Sequence, residues 1–453
     1  MEHYSFTNVI IGFGKGGKTL AKFLAGRGED VLVIERSDQM YGGTCINVGC
    51  LPSRNLILNG QKGLPFDQAT VKRGRMTEQL RAKNYHMVAD EETATVMNGT
   101  ASFLDDHTLA VKLANGKDLQ VTGERIFINT GARPNIPTGV ELGPRIVTSK
   151  EAMELPTNPA RLAIVGGGHI GLEFAGMFSS YGSRVTVFDH HQRLLMDQDE
   201  DVAALVTKDL IDLGITIVKT KPSSIVDDGS QVQVTYRNEA GESVSASFDA
   251  VLLATGRRPN TEGLGLENTG IAVTQRGAIA VDEHLRTSVD GVWALGDVNG
   301  GPQFTYISLD DFRIIRDQLA GEGKRTTTDR FAVPSSTFLT PPLAHVGMTE
   351  NQIRQSGLEA GKDYLVFSLP AAAVPKARVM EDQRGIYKIL VDKSSHEILG
   401  ATIYANEAHE IINIIDLAMK GHLAYELLRD MIYTHPTMAE ALNDVLAKPA
   451  ESK

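Results

Sequence analysis

The sequence predicts an α/β fold, and three observations lead to that prediction. A buried-type strand, a glycine-rich turn and a helical pattern follow one another twice, near the N-terminus and again from residue 161. Near the C-terminus, strand patterns at 387–391 and 399–404 precede an amphipathic stretch at 407–420, which is typical of a sheet with helices on one side. With 453 residues, the chain is long enough for two to four domains.

The composition is that of an ordinary folded protein, with 42% hydrophobic and 22% charged residues. A formal net charge of -11 argues against a nucleic acid or an anionic membrane as partner, because both favour a basic surface. The N-terminal stretch lacks a charged region with a cleavage site, and no apolar run approaches the length of a membrane span. We therefore expect a cytoplasmic protein with neither a nucleic-acid nor a membrane partner.

The first repeated unit begins with an apolar strand at 8–11 that leads into the pattern G-x-G-x-x-G at 12–17. A helical pattern follows, and a second apolar strand at 30–34 ends in Glu35, 23 residues after Gly12. An acid at this point commonly binds an adenosine ribose hydroxyl, and the diphosphate commonly lies at the helix N-terminus. The order of these features predicts a Rossmann-like dinucleotide site.

The second unit repeats this order from 161. A strand at 161–165 leads into G-x-G-x-x-G at 166–171, and a later strand at 184–188 ends in Asp189, again 23 residues after the first glycine. Strands ending in a Thr-Gly turn also occur twice, at 126–131 and 251–256. Two copies of the unit predict two bound nucleotides.

The two cysteines of the chain, Cys45 and Cys50, lie five positions apart. In an undistorted helix their Cα atoms would be roughly 8 to 9 Å apart, too far for a disulfide, although the glycines at 42, 43 and 49 allow a bend. A strained, easily reduced disulfide suits redox chemistry. The alternative is two small buried hydrophobes, whereas a zinc site lacks further cysteine ligands nearby.

Together, the C-x4-C stretch, the two glycine patterns, the two Thr-Gly turns, Gly-Asp at 296–297 and His-Pro-Thr at 435–437 resemble the pyridine nucleotide-disulfide oxidoreductase family. The resemblance covers nearly the whole chain. It implies FAD on the first Rossmann-like domain, NAD(P)H on the second, and a C-terminal α+β dimerisation domain. The implied domains are the FAD domain at 1–150 and 273–332, the NAD(P)H domain at 151–272, and the interface domain of a homodimer at 333–453.

The resemblance also implies site residues. Cys50 would lie beside the flavin as the charge-transfer thiolate, and Cys45 would be the interchange thiol that meets the oxidant. His435 would act as acid-base on the other subunit's cysteines, with Glu440 orienting it, although 437–440 also matches a capping box that would occupy Glu440 structurally. The implied FAD contacts are Gly12, Gly14, Gly17, Glu35, Thr44, Arg54, Ala101, Thr130, Gly131 and Asp297. The implied NAD(P)H contacts are Gly166, Gly168, His169, Ile170, Gly171, Glu173, Asp189 and Gly256.

Two positions depart from the commonest family pattern. Arg54 stands where relatives usually carry a lysine near the flavin, and it would face Glu173, although an ordinary surface cation is the alternative. His169 stands where relatives often carry a tyrosine that gates the nicotinamide pocket, which adds a titratable ring close to the flavin.

The narrower resemblance concerns 303–311 and 376–380, which are similar to the bacterial reactive-chlorine resistance flavoproteins that reduce copper(II). It implies electron transfer from NADH through FAD and the cysteine pair to Cu(II), with any copper ion at Cys45 and Cys50. The alternatives are a low-molecular-weight disulfide reductase, an enzyme like dihydrolipoamide dehydrogenase, or a flavin-bearing redox sensor. Asp189 favours NADH over NADPH, although the basic side chains at 190, 191 and 193 soften that preference.

Overall fold

A computed structural model describes residues 2–450 of the protein. Among these residues there is no helix with the length and apolar character needed to cross a membrane. The chain packs into two compact units. The first unit contains the chain up to Gly139 together with Thr148–Thr157 and Thr255–Asp329, and the second contains Val140–Val147, Asn158–Ala254 and the chain from Arg330. The domain boundaries expected from the sequence stay a prediction.

The strands, in chain order, are β1 (Glu2–Ile11), β2 (Val31–Glu35), β3 (Ala94–Phe103), β4 (Thr108–Leu113), β5 (Asp118–Ile128), β6 (Ala132–Pro134), β7 (Ile146–Val147), β8 (Arg161–Val165), β9 (Arg184–Phe188), β10 (Thr216–Val218), β11 (Ser224–Asp227), β12 (Val232–Arg237), β13 (Ser243–Phe248), β14 (Ala250–Leu253), β15 (Arg257–Pro259), β16 (Val292–Ala294), β17 (Ser335–Thr337), β18 (Leu343–Gly347), β19 (Tyr364–Pro370), β20 (Ile386–Asp392) and β21 (Ile398–Tyr404).

The α-helices are α1 (Lys15–Ala25), α2 (Thr44–Asn47), α3 (Cys50–Gln61), α4 (Phe66–Ala89), α5 (Ser149–Ala152), α6 (His169–Ser180), α7 (Glu200–Asp212), α8 (Thr305–Ala320), α9 (Glu350–Gln355), α10 (Pro375–Val379), α11 (Ala408–Lys420), α12 (Tyr425–Asp430) and α13 (Ala441–Val445). Short 3-10 helices occur at Asp38–Met40, Leu266–Asn268, Asp297–Asn299, Thr327–Asp329 and Ala371–Ala373.

The first unit is built on a six-stranded sheet. β1 pairs in parallel with β2 on one side and β5 on the other, β16 extends the sheet beyond β5, and β4 lies antiparallel between β3 and β5. The parallel strands are buried on both faces: Val9 and Ile11 contribute to one core, and Ile10 contributes to the other, which contains residues of α1 and α8. The glycine turn after β1 therefore leads directly into a helix that packs on this sheet.

The second unit contains two larger sheets. In one, all strands are parallel in the order β10, β9, β8, β14, β7, and α6 follows β8 as it does in a Rossmann-like domain. In the other, all pairs are antiparallel in the order β17, β18, β21, β20, β19. Apolar residues of α11, α12 and α13 belong to the core of this antiparallel sheet. β11, β12 and β13 form a separate three-stranded sheet.

These elements confirm the predicted fold class, with small differences at their ends. The strand expected at 8–11 begins earlier, at Glu2, and the helix expected after the first glycine turn runs from Lys15 to Ala25. β8 and β9 have the predicted bounds. The cysteine stretch forms two helices separated by a break at 48–49, instead of one bent helix.

Candidate active site

The first glycine turn is held by backbone contacts to β2. The amide of Gly12 donates to the carbonyl of Ile34 at 2.8 Å, and the amide of Phe13 donates to Oε2 of Glu35 at 3.0 Å. Oε1 of Glu35 accepts from the amide of Ser37 at 3.1 Å. Burial raises the pKa of Glu35, and these amide donors oppose the rise. The acid at the end of β2 thus closes the turn that precedes α1.

The second glycine turn repeats the arrangement. The amide of Gly166 donates to the carbonyl of Phe188 at 2.9 Å, and the amide of Gly167 donates to Oδ2 of Asp189 at 2.6 Å. Oδ1 of Asp189 accepts from the amide of His191 at 2.8 Å and lies 2.6 Å from its Nδ1. Burial favours the neutral acid, but these hydrogen bonds lower the pKa of Asp189. Equivalent atoms therefore make equivalent contacts in the two units.

Both helix N-termini suit an anionic diphosphate. Gly14 caps α1 and Gly168 caps α6, so neither cap residue has a side chain, and neither first turn carries an acid that would repel an anion. A side chain at Gly14 could not be accommodated, because its Cβ would lie 2.4 Å from Oδ1 of Asn129. That same oxygen accepts from the amide of Gly17 at 2.9 Å, so Asn129 holds the turn open at the helix start. The residues present fit a dinucleotide at each turn.

The cysteine segment lies directly against the first glycine turn. A Cβ on Gly43 would lie 2.8 Å from the Cα of Gly14, so the two backbones are in close contact. Thr44 begins α2 immediately afterwards, and Cys45 is the second residue of that helix. The local fold thus places the predicted interchange thiol next to the predicted FAD diphosphate turn.

Cys45 and Cys50 are not joined by a disulfide; Cys45 is half-buried, and Cys50 is exposed at the start of α3. A hydrogen bond from Cys50 lowers the pKa of Cys45 to about 6, against burial and with help from the side chain of Thr305, the amide of Leu51 and the charge of Lys18. At neutral pH the Cys45 sulfur is therefore largely a thiolate. This is the ionisation state needed for attack on an oxidant.

Lys18 and Asn84 are site residues that the sequence analysis missed. Lys18 lies on α1 with 2% of its surface exposed, and its ammonium hydrogen-bonds to Oδ1 of Asn84 on α4. Burial lowers the pKa of Lys18 to about 8, while the charge of Cys45 favours its protonated form. Both residues line a cavity of about 280 Å³ whose polar lining is completed by Lys15, Cys45, Lys83 and Thr305.

Two groups of the first unit, Arg257 and Tyr306, lie close enough to Cys50 to be affected by its charge, and Asp297 interacts in turn with Arg257. Asp297 follows β16, and burial raises its pKa while the charge of Arg257 opposes the rise. Arg257 is itself influenced by the charges of Asp297 and Cys50, and its guanidinium donates to the carbonyl of Ala132 at 2.5 Å. Burial and the Cys50 charge raise the pKa of Tyr306. Arg257, which follows the second Thr-Gly turn, was another residue that the sequence analysis left unassigned.

The remaining residues expected at FAD lie in the first unit. Thr130 donates through Oγ1 to the carbonyl of Asn260 at 2.8 Å, and Gly131 follows with a φ of 72°. Ala101 is buried on β3, and Arg54 lies on α3 with a guanidinium nitrogen 3.4 Å from Oγ of Ser53. The pairing of Arg54 with Glu173 stays a prediction.

The residues expected at NAD(P)H fall into two groups. His169, Ile170, Gly171 and Glu173 lie in the first turns of α6, after Gly166 and Gly168. His169 contacts Thr337 through Nδ1 at 2.5 Å and Asp197 through Nε2 at 3.2 Å, and the Asp197 contact raises the pKa of His169. Gly256 instead lies in the first unit, where its carbonyl accepts from the amide of Asn135 at 2.9 Å.

His435 and Glu440 meet at the entrance to α13. Nδ1 of His435 lies 2.8 Å from Oε2 of Glu440, while Oε1 of Glu440 accepts from the amide of Thr437 at 2.9 Å. The amide of Glu440 donates to Oγ1 of Thr437 at 3.2 Å, which completes the capping-box exchange. One carboxylate oxygen of Glu440 thus takes part in the capping box and the other contacts His435, and the acid-base role of His435 stays a prediction. The hydrogen bond from His435 lowers the pKa of Glu440.

Comparison with known proteins identifies the family of the chain. The family model described as "Pyridine nucleotide-disulphide oxidoreductase" matches residues 6–311, and the model of that family's dimerisation domain matches residues 333–446. The chain belongs to this family. A probable pyridine nucleotide-disulfide oxidoreductase of Escherichia coli (strain K12), RclA, is 46% identical over 97% of this chain and 98% of its own length. Dihydrolipoyl dehydrogenase of Mycobacterium tuberculosis (strain H37Rv) is 33% identical over 98% of this chain and 97% of its own length.

A solved structure of a related flavoprotein has the same fold as this chain. It is described as the Cu(II) complex of the HOCl-induced flavoprotein disulfide reductase RclA from Escherichia coli, and it aligns with a TM-score of 0.93 at 46% identity. The alignment covers 97% of this chain and 98% of that one. This pyridine nucleotide-disulfide oxidoreductase therefore has two dinucleotide-binding domains, for FAD and for NAD(P)H, and a dimerisation domain consistent with a homodimer.

Proposed function

We propose that this oxidoreductase transfers electrons from NADH to Cu(II) in the cytoplasm during oxidative stress, through the dithiol of Cys45 and Cys50. The observation that carries the proposal is the Cys45 sulfur, whose pKa of about 6 makes it a thiolate beside a second thiol. Soft thiolates favour Cu(I) over Cu(II), so a copper ion at this pair is drawn toward the reduced state. Support comes from the 46% identical RclA structure, which is described as a Cu(II) complex.

The chemistry balances with two copper ions for each NADH. FAD, when bound, would supply the two-electron chemistry by which NADH reduces the disulfide to the dithiol. The resulting dithiol gives one electron to each of two Cu(II) ions, and the S–S bond re-forms as two Cu(I) ions and the thiol protons leave. Lys18 stabilises the Cys45 thiolate by charge, Thr305 and the amide of Leu51 by hydrogen bonds. Arg257 places a positive charge near Cys50.

A second candidate, reduction of a low-molecular-weight disulfide, is favoured by one specific observation. Lys15, Lys18 and Lys83 line the cavity that contains Cys45. Their positive charges repel an aquated metal cation and attract carboxylates or phosphates carried by an organic disulfide. An organic disulfide would react by attack of the Cys45 thiolate on one of its sulfurs, followed by release of the mixed disulfide by Cys50.

An anaerobic acceptor panel separates the two candidates. The enzyme is supplied with NADH and with Cu(II), oxidised glutathione or oxidised lipoamide, and Cu(I) is measured with a Cu(I)-specific chelator. We expect sustained Cu(I) formation in the wild type and loss of it in Cys45→Ser. Brisk turnover of a disulfide without NADH-dependent Cu(I) would replace the copper proposal by the disulfide one. A single reduction without turnover with any acceptor would instead indicate a redox sensor.

We also propose that His435 serves the cysteines of the partner subunit as acid-base. Its side chain is 68% exposed and is oriented by Glu440, so it is available to a second chain. Co-refolding Cys45→Ser chains with His435→Ala chains would give mixed dimers with one intact site. Because half of randomly assembled dimers are mixed, we expect about a quarter of wild-type activity to return. No recovery would mean that His435 does not act across the dimer.

A further inference from the structure

Three potential metal ligands lie together at the end of β9. Asp189, His190 and His191 follow this strand directly, and within residues 2–450 they are the one group of three histidine, cysteine or acidic side chains whose ligand atoms all lie close together, within 4.8 Å of one another. Asp189 is buried, while the side chains of His190 and His191 are 67% and 49% exposed. The group therefore joins one fixed carboxylate to two accessible imidazoles.

The geometry needs little change to hold one ion. Oδ1 of Asp189 lies 2.6 Å from Nδ1 of His191 and 3.9 Å from Nδ1 of His190, and the two imidazole rings have centroids 4.0 Å apart. Donors that share one ion at bonds of about 2.0 to 2.2 Å lie about 3 to 4 Å apart. Exposed imidazoles rotate at low cost, whereas Asp189 is held in place by the amide of Gly167.

We propose that Asp189, His190 and His191 bind a divalent transition-metal ion such as Zn²⁺ or Cu²⁺, and that this binding and dinucleotide binding exclude each other. Two imidazoles and one carboxylate suit Zn²⁺ and Cu²⁺ and disfavour Mg²⁺ and Ca²⁺, which prefer oxygen ligands. The exclusion rests on the proposed role of Asp189 at the adenosine ribose: Oδ2 of Asp189 already accepts from the amide of Gly167, so a metal ion on Oδ1 occupies the oxygen that a ribose hydroxyl would use. The metal site itself rests only on the three side chains.

The surroundings set a moderate affinity. A cavity of about 390 Å³ adjoins Asp189, and its charged lining includes Arg193, Glu200, Lys208 and Lys219. Lys208 is paired with Asp212 at 2.6 Å, but the net basic character of the lining opposes a cation. We therefore expect binding in the micromolar range. For a copper reductase, such a site would limit NADH entry when the free metal concentration rises.

Calorimetry with Zn²⁺ tests the site separately from the proposed redox function, because Zn²⁺ is redox-inert. The protein is the FAD-loaded chain without an affinity tag, carrying Cys45→Ser and Cys50→Ser so that no thiol binds the ion. We expect one micromolar Zn²⁺ site per chain. Adding His190→Ala and His191→Ala should weaken binding at least tenfold, while adding His86→Ala should leave it unchanged, since His86 is an exposed histidine 2.9 Å from a single acid.

The exclusion is tested by repeating the titration with 5′-AMP, which carries the adenosine ribose. The apparent Kd for Zn²⁺ should rise in proportion to the 5′-AMP concentration. Equal Zn²⁺ binding by the parent and the double histidine variant would overturn the site, and Zn²⁺ binding that is insensitive to bound 5′-AMP would overturn the exclusion. Retained flavin absorbance and circular dichroism in each variant verify that the chain is folded, and His190→Ala and His191→Ala singly provide milder variants.

Discussion

Within residues 2–450 two lysines are buried, and their surroundings differ sharply. Lys18 in the first unit is 2% exposed and hydrogen-bonds to the neutral amide of Asn84. Lys388 in the second unit is 3% exposed, and its ammonium lies within 3.1 Å of three carboxylates, those of Asp199, Asp201 and Glu350. Lys18 therefore contacts a neutral amide and lies near the Cys45 sulfur, whereas Lys388 is surrounded by carboxylates.

The two environments shift the pKa values of the two lysines in opposite directions. Burial lowers the pKa of Lys18 to about 8. Burial also opposes the charge of Lys388, but hydrogen bonds to Glu350 and Asp201 outweigh it and raise the pKa of Lys388 to about 12. A buried cation compensated by carboxylates is a structural element, whereas one next to a thiol stabilises that thiol as a thiolate. The comparison therefore separates a structural lysine from one that supports the chemistry.

The largest expected effect follows loss of either cysteine. Cys45→Ser and Cys50→Ser should each lower the steady-state rate of acceptor reduction by on the order of a thousandfold, because the dithiol can no longer form. After reduction by NADH, Cys50→Ser should lack the long-wavelength thiolate-flavin absorbance and Cys45→Ser should show it more strongly. Absorbance spectroscopy under anaerobic conditions measures this. Identical spectra for the two variants would show that the two roles are wrongly assigned.

The next effect concerns the structural lysine. Lys388→Met should lower the free energy of unfolding by about 3 to 5 kcal/mol, because buried carboxylates lose their cation. Urea unfolding at fixed protein and FAD concentrations measures it. The control is Lys208→Met, which removes an exposed pair with Asp212 and should leave the free energy of unfolding nearly unchanged. Equal losses for the two variants would contradict the structural role of Lys388.

Lys18→Met should make the Cys45 thiol less reactive. The positive charge of Lys18 lowers the pKa of Cys45, so removing Lys18 raises that pKa from about 6 and leaves less Cys45 thiolate at pH 6.5. We expect iodoacetamide to alkylate Cys45 of the reduced enzyme about threefold to tenfold more slowly, as followed by peptide mass spectrometry. Lys22→Met, on the same helix but 54% exposed, should react at the wild-type rate. An unchanged rate in Lys18→Met would refute the assigned role.

The smallest effect is a pH dependence of stability. The pKa of Lys18 is about 8 in the folded protein and 10.5 for an unperturbed lysine, so folding favours the neutral amine. Its stabilising contribution is complete above pH 10.5 and is lost as the pH falls through 8. From pH 7.5 to 9.5, wild type should gain about 1 to 2 kcal/mol relative to Lys18→Met in urea unfolding. The difference in stability between wild type and Lys388→Met should stay constant over this pH range, since both pKa values of Lys388, 10.5 unperturbed and about 12 folded, lie above it.

The sequence by itself determined the duplicated dinucleotide units, the cysteine pair and the family. These features are local, because a strand, a glycine turn and a terminal acid follow one another along the chain. The same amide-to-carboxylate hydrogen bond forms in both units, from Phe13 to Glu35 and from Gly167 to Asp189. The pattern at 437–440 was also readable, but only the structure shows that one carboxylate serves both the capping box and His435. The predicted roles of the site residues stay predictions.

The tertiary structure alone decided which lysines are buried and beside what. Lys18 follows a glycine turn like an ordinary helical surface cation, yet it precedes Ala21 and Ala25 by three and seven positions on the buried face of α1. Its amide partner comes from α4, 66 residues further along the chain. The carboxylates around Lys388 come from segments up to 189 residues away in sequence, the separation between Lys388 and Asp199. Sequence patterns report spacing within one element, whereas burial and charge compensation depend on which distant elements pack together.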